Sequence, residues 1–161
     1  MCAAADFPAV EALIEPMSRI TIRAGDHGAG QAAKICNNMV LGATMIATCE
    51  AFALAEKLGL DPQRLFDISS KSSGQCWSLT TYCPVPGPVP TSPANNEYKP
   101  GFASVLMVKD LTLAQDAAKA TGAVTPLGKH AQEIYKSFDA AGHGGVDFSG
   151  IIQLVRELAG K

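Results

Sequence analysis

With 161 residues, 47% of them hydrophobic and 17% charged, the chain is long enough to bury a core as one compact domain and too apolar to be disordered. A net charge of −2 leaves no basic footprint for nucleic acid, so a small molecule or another protein is the expected partner. The mean hydropathy of +0.13 is high for a soluble domain, and part of that excess is expected at an interface.

The opening residues, Met1-Cys2-Ala3-Ala4-Ala5-Asp6, lack both the basic region and apolar core of a leader and the Arg/Ser-rich pattern of a transit peptide, so export is not expected. Phe7 to Met17 place Val10, Leu13, Ile14 and Met17 at helical spacing, and Ile20-Thr21-Ile22 reads as a short β-branched strand ending at Ala24-Gly25. Such a strand needs neighbours to pair with, and no second strand is read in the chain.

From Gly30 to about Gly59 there is no proline, and Lys57-Leu58-Gly59 supplies a basic end and a glycine stop, which predicts one long helix. Its apolar residues (Ile35, Met39, Val40, Leu41, Met45, Ile46, Phe52, Leu54) surround it, so it is expected to be the axis of the domain and part of a subunit interface. Glu50, Glu56 and Lys57 interrupt its most apolar stretch and argue against a membrane span. Asp61-Pro62 is an N-cap followed by proline at the first helical position, opening a helix to about Ser70.

Cys83 to Asn96 holds half of the ten prolines and is expected to be an irregular loop, functional or mobile. Three more helices follow by periodicity: Phe102 to about Thr121, Pro126 to about Ala140, and Phe148 to Leu158. The five cysteines (Cys2, Cys36, Cys49, Cys76, Cys83) form an odd set with no C-x-x-C pair and read as reduced thiols, and no metal site is read from them.

The stretch with chemical content is Gly25-Asp26-His27-Gly28-Ala29-Gly30-Gln31-Ala32-Ala33-Lys34-Ile35-Cys36-Asn37-Asn38. Its glycines come as G-x-x-G-x-G, not as the dinucleotide fingerprint. Lys34 and Asn38 are four apart on one helix face beside the turn, where an ammonium and an amide suit general acid/base work. On spacing alone a surface lysine and a solvated amide are the commoner outcome. Lys109-Asp110 is by itself most often a solvated helix face, and Trp77 and Phe102 are more often core anchors than ligand contacts. His27, His130 and His143 pair with no nucleophile or ligand set and are given no role.

G-x-x-G-x-G-x-x-x-K-x-x-x-N, followed by Glu50-Ala51, resembles the catalytic motif of the β-hydroxyacid dehydrogenases. Ser72-Ser73-Gly74-Gln75-Cys76-Trp77-Ser78, Tyr82 to Gly87, and Ala94-Asn95-Asn96 with Gly101-Phe102 are similar to the 3-hydroxyisobutyrate dehydrogenase branch. Phe102-x-x-x-Leu106-x-x-Lys109-Asp110-Leu111-x-Leu113-Ala114 is similar to the family's second signature.

The resemblance implies an all-α C-terminal domain of the β-hydroxyacid/6-phosphogluconate dehydrogenase type, built around one long central helix (residues 26–161). Residues 1–25 would be a residual helix and strand of an NAD-binding Rossmann domain. It implies Lys34 as the catalytic residue, Asn38, Gly28 and Trp77 on the substrate, and Phe102, Lys109 and Asp110 on the cofactor. That cofactor is NAD, held mainly by residues outside this chain. A small 3-hydroxy acid and a second copy of the chain (homodimer or homotetramer through the long helix) are the implied partners, in cytoplasm or, for a eukaryote, mitochondrial matrix.

Two family motifs are missing, the G-x-G-x-x-G cofactor loop and the Ser-Gly-Gly substrate segment, so the chain alone is expected to be inactive. Two other readings stand beside this one. One is another branch of the superfamily, of the tartronate semialdehyde reductase or phosphogluconate type. The other is a non-catalytic helical oligomerisation module.

Overall fold

A computed structural model describes residues 6–160; Cys2 and the rest of the first five residues, on which the expectation about export rests, lie outside them. Among the described residues the secondary structure is helical: α1 (Phe7–Ile14, continued by a 3₁₀ turn Glu15–Met17), α2 (Ala29–Lys57), α3 (Pro62–Ser69), α4 (Trp77–Thr80), α5 (Ser104–Thr121), α6 (Pro126–Phe138) and α7 (Ile152–Gly160). The expected strand Ile20–Ile22 does not form; these residues have no regular structure, because no described segment offers a partner for their backbone groups. The chain divides into two compact units, one up to Asn37 and one from Asn38 on, the division falling within α2.

The first unit has little interior of its own. No residue of α1 is buried, and Leu13, Met17, Ile20 and Ile22 are 74–82% exposed. Two of its polar contacts are local: Ser18 Oγ lies 2.9 Å from Thr21 Oγ1, and Arg23 donates to Asp26 at 3.2 Å.

The second unit has a continuous core. Met45, Cys49 and Phe52 of α2 are fully enclosed with Met107 and Leu111 of α5, Tyr135 and Phe138 of α6, and Phe148, Ile151 and Ile152. Gly42 makes this packing possible, since a Cβ there would stand 3.1 Å from Leu111 Cδ2 and 3.2 Å from Met107 Sδ. By length and composition α2 could cross a membrane, but here it is the axis of a packed interior.

Local signals account for several of the helix ends. Asp61 accepts from the backbone N–H of Arg64 at 3.1 Å and caps α3. Gly122, at φ +73°, ends α5 in a left-handed cap. Asp147 caps a 3₁₀ turn, Phe148–Ile151, that precedes α7.

The proline-rich loop departs from the expectation of mobility. Cys83, Pro84 and Val85 are buried, Ser92 Oγ donates to the Cys83 carbonyl at 2.6 Å, and Tyr98 Oη donates to the Pro84 carbonyl at 2.8 Å. Proline excludes regular hydrogen bonding within the loop, but its rings and valines are apolar and fill the core. Burial pushes the Cys83 thiol up to about 11 and raises that of Cys49 as well, with Cys83 beside it.

Candidate functional site

In the first unit, Gly28 adopts a left-handed φ of +91°, which an L side chain would strain. Its carbonyl accepts from the Ala32 N–H at 3.1 Å, starting α2. Lys34 follows on α2 and is exposed.

In the second unit, Asn38 Nδ2 donates to Asp110 Oδ2 at 2.6 Å, joining α2 to α5. Lys109 Nζ lies 3.7 Å from Asp110 Oδ1. Asp110 is 3% exposed, so the solvated helix face expected of an isolated Lys-Asp pair is wrong for the aspartate and right only for Lys109, whose side chain is 61% exposed. The physical reason is the amide from α2: a carboxylate can be buried when charged and polar donors replace its water. That contact fixes the rotamer and the amide orientation of Asn38.

Trp77 and Phe102 belong to a row of aromatic rings. Trp77 stacks on Tyr82 at 5.0 Å between centroids, Tyr82 stacks on Phe148 at 5.2 Å, and Phe148 meets Phe102 edge-on at 5.7 Å. Trp77 is 49% exposed, which corrects the expectation of a core anchor. Phe102 is half-buried.

Asp147 was not singled out from the sequence, and Tyr82 entered only within a family-like segment, with no role of its own. Asp147 is fully buried and accepts from the Tyr82 hydroxyl, the Gly101 and Phe102 N–H groups, and the N–H and hydroxyl of Ser149. Its only local signal is Asp147-Phe148-Ser149, which reads as a helix cap. Burial, and then the charge and hydrogen bond of Asp147, raise the Tyr82 phenol above its ordinary range and keep it a donor.

Residues 28–155 match the family described as NAD-binding of NADP-dependent 3-hydroxyisobutyrate dehydrogenase. The chain belongs to this 3-hydroxyisobutyrate dehydrogenase family. It is 58% identical over 147 residues to "Probable 3-hydroxyisobutyrate dehydrogenase" of Mycobacterium tuberculosis, covering 91% of this chain and 50% of that protein. It is 47% identical over 152 residues to the mitochondrial 3-hydroxyisobutyrate dehydrogenase of Homo sapiens, covering 94% and 45%.

A solved structure of the Mycobacterium tuberculosis 3-hydroxyisobutyrate dehydrogenase with L-serine matches with a TM-score of 0.90 at 56% identity, covering 95% of this chain and 52% of that one. A second, from Salmonella typhimurium, matches with a TM-score of 0.81 at 27% identity, covering 94% and 51%. The chain therefore spans about half the length of the curated relatives it matches. Phe102, Lys109 and Asp110 lie inside the segment to which the family description assigns NAD binding.

Proposed function

We propose that this chain is the substrate-side half of an NAD-dependent dehydrogenase that oxidises 3-hydroxyisobutyrate to methylmalonate semialdehyde, a step of valine breakdown. On this reading residues 1–25 belong to a Rossmann domain and residues 26–161 to the helical substrate and dimerisation domain. The observation that carries the reading is the Asn38–Asp110 hydrogen bond, which gives the amide of the family motif a fixed orientation next to a buried carboxylate. L-serine, which accompanies the mycobacterial enzyme in its solved structure, has the same pattern as the proposed substrate, a primary hydroxyl two carbons from a carboxylate.

Lys34 takes the substrate hydroxyl proton as the carbonyl forms and returns it in the reverse direction. Asn38 holds the hydroxyl or carboxylate, Gly28 keeps the turn before the helix clear of side chains, and Trp77 shapes the pocket for a small acid. The residues assigned to the cofactor fit it in kind: Lys109 is an exposed cation suited to a phosphate-bearing ligand, and Phe102 is an accessible ring suited to an aromatic one. When bound, a nicotinamide dinucleotide supplies the hydride acceptor.

The exposed Val40 and Leu54 of α2, with Leu58 in the turn just after it, support assembly as a homodimer or homotetramer through that helix. We assign the protein to an aqueous compartment, cytoplasm or mitochondrial matrix.

Joined to a nucleotide-binding half, the chain is expected to reduce NAD with 3-hydroxyisobutyrate, and Lys34→Ala to lower kcat by about 10²–10⁴-fold. Retained activity in that variant removes Lys34 from the mechanism. The 161-residue chain by itself is expected to form no NADH.

A further inference from the structure

We propose that Asp147 is a positioning residue that sets Phe102 and Trp77 in register with each other, one carboxylate bracing both ends of the aromatic row. The inference rests on the roles given to Phe102 and Trp77 in the proposed function.

The two oxygens of Asp147 do different work. Oδ1 accepts from the Ser149 N–H at 2.9 Å and the Ser149 hydroxyl at 2.7 Å, which is all that capping the 3₁₀ turn requires. Oδ2 makes three further bonds, and every one goes to a segment that carries the aromatic row: the Tyr82 hydroxyl at 2.9 Å, the Gly101 N–H at 3.0 Å and the Phe102 N–H at 3.0 Å. All five donors are neutral, so the buried charge is balanced by dipoles whose directions must hold together.

Both sides of Phe102 are thereby fixed. Its N–H is held by Asp147, and its carbonyl accepts from the Phe148 N–H at 2.9 Å. The Asp147 N–H in turn donates to the Tyr98 carbonyl at 3.0 Å. Tyr98 and the preceding Glu97 both sit at left-handed φ, +55° and +52°, a conformation that persists only where surrounding contacts impose it.

Gly101 belongs to the same arrangement, since a Cβ there would stand 2.7 Å from the Tyr82 hydroxyl oxygen. At the other end Tyr82 carries Trp77 on its face. Moving the carboxylate therefore moves the backbone of Phe102 and the platform under Trp77 together.

Trp77 is the only tryptophan, so its fluorescence reports this site directly. In the 161-residue chain, Asp147→Asn is expected to raise acrylamide quenching of Trp77 roughly twofold as its stacking platform loosens, and Tyr82→Phe to raise it less. Ser149→Ala, which touches only the cap, should leave it unchanged, with far-UV circular dichroism the same in all three. Joined to a nucleotide-binding half, Asp147→Asn should lower kcat/KM for the hydroxy acid by about tenfold, with KM rising as the Trp77 wall of the pocket loosens, whereas Ser149→Ala should move neither.

Quenching unchanged in Asp147→Asn, or raised as much by Ser149→Ala, overturns the proposal. If Asp147→Asn does not fold, Tyr82→Phe decides, because it removes only the hydroxyl and keeps the cap. Should the joined parent transfer no hydride, the dehydrogenase reading fails while the quenching still judges Asp147.

Discussion

Leu13, Met17, Ile20 and Ile22 stand in solvent in the first unit, whereas Met45, Phe52, Met107 and Ile151 are enclosed in the second. Both sets follow apolar periodicity in the sequence. The contrast teaches that a hydrophobic pattern records a residue's preference for a partner and does not say whether the same chain holds it. In the second unit α2, α5 and α6 supply one another's partners; in the first, no described residue of α1 is fully buried, and Leu13, Met17, Ile20 and Ile22 stay largely exposed.

The largest test of that contrast is core truncation. Phe148→Ala is expected to cost about 3–5 kcal/mol in urea unfolding, because Phe148 is enclosed and joins the aromatic row to the interior. Leu13→Ala should change stability by less than about 0.5 kcal/mol. Comparable losses at the two positions would erase the distinction.

Thiol chemistry sharpens it next. Cys36 is exposed and should react with a disulfide reagent in the folded chain, while Cys49 and Cys83, both buried, wait for unfolding. Cys83 holds its proton to about 11 in the fold against an ordinary 9.0, so its contribution to stability is complete below pH 9. As pH rises from 9 to 11 the unfolded chain ionises first, and about 2–3 kcal/mol is lost. Cys83→Ala should flatten that fall, and an unchanged slope in the variant would assign it to other groups.

Asp110→Ala leaves the Asn38 amide without its buried acceptor and should cost about 1–3 kcal/mol, measured by thermal unfolding. The smallest effect is expected at Glu56, which accepts from Arg156 of α7 through both carboxylate oxygens at the partly exposed end of α2. Glu56→Gln should cost about 0.2–1 kcal/mol, and Arg23→Ala, which removes the exposed Arg23–Asp26 pair, still less.

Local signals were sufficient wherever one element decides its own form. The proline-free run to Lys57 is a helix with the expected end, Asp61 caps as its side chain predicts, and Gly122 stops α5. Family membership was legible too, because the Gly28-to-Asn38 motif and the Phe102-to-Ala114 signature survive as short strings.

What stayed hidden depends on contacts between distant segments. The short helix Trp77–Thr80, where Thr44 meets Ser78, the proline loop, whose Cys83, Val85 and Val89 join the core, and the depth of Asp110 each need a neighbour from far along the chain.

The sequence by itself determined the helical class, the order and ends of most helices, and the family, since these rest on periodicity, caps and adjacent residues. Only the tertiary structure decided that Asp110 is buried under Asn38, that Trp77 stands half in solvent on Tyr82, and that Asp147 gathers donors from three segments. A hydrogen bond or a ring stack spanning 45 or more residues has no signature in either partner's local sequence, because its direction is set by the packing that brings the two together.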